Sequence, residues 1–259
     1  MSVYLHSTTR GRGPDVVLLH GLFGMGSNLG MLARALQDTW RVHCLDLPNH
    51  GRSDWLDTMS LASLAGAISD WMDEHSIADV RLVGHSLGGK VAMWLALAQP
   101  MRVSRLVVAD IAPVAYPPHH DDIFQGLHAV AAALPPDRAS ADEILAQYID
   151  ETPVRQFLLC SLVRDEKGLY RWRFNLQGLE QGYHAVSEEL DNFEPCMNDV
   201  LFLKGEHSNY ILPEYRKMIL RTFPRACLKV LPDTGHWLHA EQPRLFNAQV
   251  RRFLDKAPG

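Results

Sequence analysis

The pentapeptide Gly84-His85-Ser86-Leu87-Gly88 carries the most specific chemical pattern in the chain. The apolar run Val80, Leu82 and Val83 precedes it and an alanine- and leucine-rich stretch follows it, which reads as strand, sharp turn and helix. A G-x-S-x-G sequence in that setting is a nucleophile elbow. The turn lifts a serine oxygen above the end of a sheet, and the small residues beside it let two backbones pass closely. The helix behind the turn aims free N–H groups and its positive end at whatever sits on Ser86. A hydroxyl is a poor nucleophile near neutral pH, so Ser86 needs a base, usually a histidine held in one tautomer by a carboxylate.

Of the 13 histidines, His236 stands just beyond the last apolar run, in Asp233-Thr234-Gly235-His236-Trp237. In the chain order nucleophile, acid, histidine, that is where the base belongs. His85 reads as packing on the other side of the turn, and His20 as a brace for its own loop. Among the acids, Asp110 is favoured. It ends the apolar run 103–111, which a parallel sheet would lay beside the strand of Ser86. Glu206 is the alternative, although it follows Gly205 by one residue, where a turn would aim it away. Ser208 is uncharged and is expected to give a supporting hydrogen bond, and Asp233 to shape the turn before His236. An oxyanion formed on a substrate needs two preorganised donors. The Leu87 N–H is one, and the Leu22 N–H of His20-Gly21-Leu22-Phe23 is preferred over that of Phe23 for the other.

These residues need a frame, and apolar runs alternating with helical stripes supply it. Val16 to Leu19, Val42 to Leu47, Val80 to Val83, residues 103–111, Val200 to Gly205 and Ala226 to Leu231 read as strands, and residues 3–8 as a weak edge strand. Helical stripes lie between them: Leu29, Leu32, Ala33 and Leu36; Leu61 to Met72 with Ser60 as N-cap; 87–99, stopped by Pro100; about 212–223; and Pro243 to Leu254. This rhythm implies right-handed βαβ units, a mostly parallel sheet flanked by helices, and active residues at the C-terminal ends of the strands.

From Pro113 the composition changes. Pro117-Pro118, Pro135-Pro136 and Pro153 punctuate short helical stripes, and no buried-type strand is read for some eighty residues. The stripes are Ile123, Leu127, Val130 and Leu134; then Ile144, Leu145, Tyr148 and Ile149; then Phe157, Leu158 and Leu162. An extended piece at 169–174 and a further helix through Tyr183 complete the segment. Residues 1–112 and 195–259 are therefore expected to form the core, and 113–194 a helical cap over its active edge. Phe23, Tyr116, Trp172, Tyr183 and Trp237 are candidates to line the pocket between them.

Bulk properties narrow the partners. A chain of 259 residues with 47% hydrophobic content can bury one large core. Its net charge of −5 offers no basic face to nucleic acid. No window approaches the roughly 18–20 apolar residues of a membrane span, and residues 1–15 lack the apolar stretch of a secretory signal. Cys44, Cys160, Cys196 and Cys227 form no C-x-x-C pair. They suggest neither a zinc site nor a disulfide framework, and a reducing cytoplasm fits best. The chemistry at Ser86 calls for no metal and no cofactor.

His20-Gly21, Asp46-Leu47-Pro48-Asn49-His50-Gly51-Arg52-Ser53, Gly84 to Gly89 and Gly235-His236-Trp237 occur in the order and spacing of α/β-hydrolases, and the resemblance spans nearly the whole chain. More narrowly, His20 to Gly24, Asn49-His50-Gly51, Ala109 to Pro113 and Trp172-Arg173-Phe174-Asn175 resemble the YbfF-type bacterial esterases. The resemblance implies the α/β-hydrolase fold with a helical cap, and hydrolysis of small-molecule acyl esters through an acyl-serine. Acyl-CoA thioesters are the alternative substrates. Carbon–carbon bond hydrolysis and perhydrolysis use the same triad, and a non-catalytic receptor on this fold is disfavoured by the intact Ser86, His236 and nearby acid. The chain departs from many α/β-hydrolases in one respect: where they keep their acid, three residues beyond the glycine of the strand at 200–205, it has Ser208.

Overall fold

The computed structural model describes residues 3–118 and 120–256. Seven strands form the central sheet: β1 (Ser7–Arg10), β2 (Asp15–Leu19), β3 (Arg41–Leu45), β4 (Val80–His85), β5 (Val103–Ala109), and, beyond a long insertion, β8 (Asp199–Gly205) and β9 (Ala226–Leu231). Their spatial order is β1-β3-β2-β4-β5-β8-β9. All neighbours run parallel except β1, which pairs antiparallel with β3. The strand of Ser86 therefore lies near the middle, with β5 beside it.

Period-two alternation explains why these strands are apolar throughout. Val16 and Leu18 of β2 face one side, with Val83 of β4 and Val107 of β5. There they meet α1 (Gly30–Leu36) and α10 (Pro243–Leu254) through Leu32, Leu36, Phe246 and Val250. Val17, Leu19, Leu82 and Val108 face the other side. They pack on α2 (Leu61–Glu74) and α3 (Leu87–Ala98) through Leu64, Ile68, Trp71, Val91 and Leu95. Two covered faces leave the strand ends as the place where polar chemistry can meet a ligand.

Between β5 and β8 the chain forms α4 (Asp121–Ala133), α5 (Arg138–Leu145), α6 (Thr152–Leu159), a hairpin of β6 (Leu162–Arg164) and β7 (Tyr170–Trp172), and α7 (Leu176–Ser187). The two ends of this insertion are joined at a neck. Tyr116 N–H donates to Ser187 O at 2.9 Å and Leu190 N–H to Pro113 O at 3.1 Å. Lys90 of α3, fully buried, donates to Val114 O at 2.7 Å and to Glu188 O, tying both strands of the neck to the helix behind Ser86. The remaining helices, α8 (Arg216–Thr222) and the short α9 (Leu238–Glu241), flank β9 in sequence.

Several element boundaries differ from the sequence reading. The edge strand lies at Ser7–Arg10, not at 3–8. The backbone before it bonds instead to the loop at 53–54, through Tyr4 N–H and Asp54 Oδ2 at 3.0 Å and His6 N–H and Ser53 Oγ at 2.9 Å. The helix expected from 212 opens as a 3-10 turn at Pro213–Tyr215 and becomes α-helical at Arg216. The stripe through Tyr148 and Ile149 outruns α5, which ends at Leu145, and the extended piece at 169–174 has a partner strand, β6.

Candidate active site

The elbow forms because β4 and α3 are joined with no spare residue. Ser86 takes φ 52° and ψ −119°, a strained conformation for a residue with a side chain, of the kind concentrated at functional sites. Two glycines make the turn possible. A Cβ on Gly84 would lie 2.2 Å from Gly88 O, and one on Gly88 2.3 Å from Leu19 O. Ser86 N–H donates to Ala109 O at 2.9 Å, which locks the turn to β5.

The register His85↔Ala109 puts Asp110, the residue that follows β5, directly beside Ser86. Asp110 is fully buried, with φ 53°, and its N–H donates to Leu203 O at 2.8 Å. Its carboxylate is enclosed by donors. Gly205 N–H meets Oδ1 at 3.0 Å, His236 Nδ1 meets Oδ2 at 2.8 Å, and the Ser208 hydroxyl donates to that same Oδ2. A carboxylate accepting from Nδ1–H selects the tautomer whose Nε2 is free to take a proton. Among the described residues the Ser86 hydroxyl makes no hydrogen bond to His236, but both side chains open on one cavity. Catalytic contacts in unliganded proteins are commonly long and shorten when substrate binds.

The loop of His236 is braced from several sides. Tyr210 stacks on the imidazole with ring centroids 4.0 Å apart. Glu241 accepts from Gly235 N–H at 2.7 Å and from Trp237 N–H at 3.2 Å. His85 Nε2 donates to His236 O at 2.8 Å. The His85 ring also borders the cavity and lies 4.8 Å from that of His236, so it packs on the same side of the turn as Ser86 and His236 and not on the far side. Burial holds His85 well below its ordinary pKa, aided by the neighbouring His239 and His236, so it stays a neutral donor.

The loop after β2 is held by two histidines acting as backbone staples. His20 Nδ1 donates to Gly21 O at 2.8 Å and its Nε2 accepts from Leu47 N–H at 3.0 Å. His50 Nδ1 donates to Pro48 O at 2.9 Å and its Nε2 accepts from Phe23 N–H at 3.2 Å. Each pattern requires a neutral ring, and burial supplies it by pushing His20 down to about 4 and His50 to about 3. Because His50 occupies the Phe23 N–H, that group is not available to an oxyanion. Leu22 N–H has no hydrogen-bond partner among the described residues. His20 thus braces its loop as the sequence suggested; the part played by His50 was missed, although Asn49-His50-Gly51 had stood out as a motif.

A cavity of about 190 Å³ lies over Ser86, between the sheet's edge and the insertion. Phe23, Tyr116, Tyr183 and Trp237 line it, as does Leu22. Trp172 does not. It is buried inside the insertion, stacked on Phe174 with rings 5.3 Å apart and donating from Nε1 to Leu127 O at 2.9 Å. Its place in the pocket wall is taken by Ile123, Val154, Phe157 and Val186; Ile123 and Phe157 lie on stripes read as packing faces, and Val154 and Val186 on none. The alternative acid, Glu206, is exposed and accepts from Asp233 N–H at 2.9 Å. With His207 and Asp233 it makes the only group with metal-ligand spacing among the described residues, all three exposed and none lining the cavity.

The pattern of the alpha/beta hydrolase family matches residues 16–249. The chain is 38% identical over 242 residues to Esterase YbfF of Escherichia coli, covering 93% of this chain and 92% of that one. It is 37% identical over 249 residues to the sn-1-specific diacylglycerol lipase ABHD11 of Mus musculus, covering 93% and 81%. A solved structure described as a marine microorganism esterase superposes with a TM-score of 0.94 at 36% identity, covering 97% of this chain and all of that one.

Proposed function

The chain belongs to the alpha/beta hydrolase family, and from that premise we propose that it is a serine carboxylesterase working through Ser86, His236 and Asp110. The observation that carries the reading is the Asp110 Oδ2 to His236 Nδ1 contact of 2.8 Å, set at the end of the strand beside the strained Ser86. Relatives described as an esterase and a diacylglycerol lipase support the same class of chemistry.

In this reading Ser86 Oγ attacks the ester carbonyl while His236 Nε2 takes its proton. Asp110 holds the ring and stabilises the imidazolium that forms. The carbonyl oxygen, now an oxyanion, is met by the N–H groups of Leu22 and Leu87. As the intermediate collapses, the ester C–O bond breaks and the leaving oxygen takes the proton from His236. Water then repeats the path and releases the acid from Ser86. The same acyl-serine sequence serves a thioester.

The insertion at 113–194 acts as the cap, with Tyr116, Ile123, Phe157 and Tyr183 bounding the acyl site. Among the described residues no helix is long and apolar enough to cross a membrane. Cys44, Cys160, Cys196 and Cys227 are all free thiols, which suits a reducing cytoplasm. The test is turnover of a short p-nitrophenyl ester together with a serine-reactive phosphonate. One adduct on Ser86 with loss of activity is expected. Labelling elsewhere with activity retained would overturn the assignment.

A further inference from the structure

Two spaces meet at His236. The inner one is the cavity over Ser86 and Leu87. The outer one is an open groove of about 1210 Å³ between the cap and α9, bordered by Tyr148, Ile149, Phe157 and Trp237. His236 lines both, whereas among the described residues Ser86 lines the inner cavity and not the groove. In acyl transfer the acyl carbon stays on the serine and the leaving atom takes its proton from the histidine. Resting on the hydrolase reading above, this division gives the inner cavity to the acyl group and the outer groove to the leaving group.

The groove's charge is one-sided. Asp122, Glu151 and Glu241 stand exposed along it, and no lysine or arginine lines it among the described residues. Its buried His239 cannot offset them, since desolvation holds that ring down to about 4 and hence neutral. Apolar side chains edged by carboxylates suit an uncharged alcohol. They repel a polyanionic carrier, through a field that salt screens.

We propose that the groove selects esters of uncharged, apolar alcohols and discriminates against coenzyme A thioesters, although the chemistry at Ser86 would accept either leaving atom.

The experiment compares octanoyl-CoA with the octanoyl thioester of N-acetylcysteamine, which presents the same acyl group and leaving sulfur without phosphates. At low ionic strength kcat/KM for the uncharged thioester should exceed that for octanoyl-CoA by about tenfold or more, and the gap should close as salt approaches about 0.5 M. The double substitution Asp122→Asn, Glu151→Gln should raise the octanoyl-CoA value several-fold relative to that for the uncharged thioester. Equal or faster cleavage of octanoyl-CoA at low salt would overturn the proposal, as would a gap that neither salt nor the double variant moves. Binding of both thioesters to Ser86→Ala needs no turnover and should rank them in the same order. If the unmodified enzyme cleaves neither thioester nor a short p-nitrophenyl ester but the ranking holds, the hydrolase reading fails and the groove's selectivity stands; a reversed ranking removes the selectivity alone.

Discussion

Asp110 Oδ2 lies 2.8 Å from His236 Nδ1 across 126 residues of chain, with the carboxylate fully buried and the imidazole side chain 18% exposed. The Ser208 hydroxyl donates to the same oxygen. The polar group found where many relatives of this fold keep their acid therefore acts on the acid from outside. Asp110→Asn should cut kcat by up to about 10⁴, because an amide in that place favours the wrong histidine tautomer. Ser208→Ala removes one of the donors to the carboxylate and should cost far less, and Glu206→Gln, on the surface, should stay within a few-fold of the parent. Steady-state kinetics on one ester decide the matter. A crippled Glu206→Gln beside a near-normal Asp110→Asn would reverse the assignment.

His85 offers a test of how much the loop of His236 depends on its bracing. Its Nε2–H donates to His236 O. A hydrogen bond of this kind contributes about 0.5–1.5 kcal/mol net. His85→Leu should therefore lower kcat by about tenfold or less, with KM little changed if the loss falls on the transition state. A rise in KM alone would instead mean that His85 serves the cavity wall on which it also borders.

What could be read from the sequence divides along a physical line. The strongest signals carried by neighbours in sequence survived intact. Pro243–Leu254 is helical over the bounds its apolar stripe predicted, and Ser60 caps α2 by accepting from Ser63 N–H at 3.1 Å. The place of Asp110, at the end of the strand beside that of Ser86, was legible because βαβ handedness and sheet order follow from the alternation of elements. Trp172 and His50 were not legible in the same way, since periodicity marks a face but not what covers it. Trp172 turned inward onto Phe174, and His50 reached across to Phe23, through packing that depends on chain segments far away. The strand β6 was missed because three residues carry too little pattern; β7 supplies its pairing.

The two histidine staples of the loop after β2 make stability depend on pH. His20 and His50 are neutral in the fold, with pKa values held by burial at about 4 and about 3 against an ordinary 6.5. Below about 6.5 the unfolded chain binds protons that the folded one refuses, so stability present at neutral pH is lost as pH falls toward 4. Each ring contributes a slope of up to about 1.4 kcal/mol per pH unit in that window. The urea midpoint should be lower at pH 5 than at pH 7, and the difference should shrink in His50→Gln. An unchanged difference would show that acid sensitivity lies elsewhere.

The last prediction concerns the cap, where Trp172 and Phe157 are both aromatic but play different parts. Trp172 is buried within the insertion and shares a hydrogen bond with Leu127 O, so Trp172→Ala opens a hole in the cap's own core, at a cost of about 3–5 kcal/mol. Its effect should be loss of thermal stability, with activity reduced to a similar degree for every acyl chain. Phe157 is half-buried, lines the cavity over Ser86, and lies 5.8 Å from Trp237, ring to ring. Phe157→Ala should leave the melting temperature less disturbed and change selectivity. Each methylene of a long acyl chain that loses contact is worth about 0.8 kcal/mol, while the shortest ester, held by Ser86 and the oxyanion donors, should be cleaved at near its original kcat/KM. The measurement is kcat/KM for p-nitrophenyl esters of increasing chain length in both variants. A selectivity change confined to Trp172→Ala, with uniform loss in Phe157→Ala, would mean that the acyl chain runs through the interior of the cap and not along its lower face.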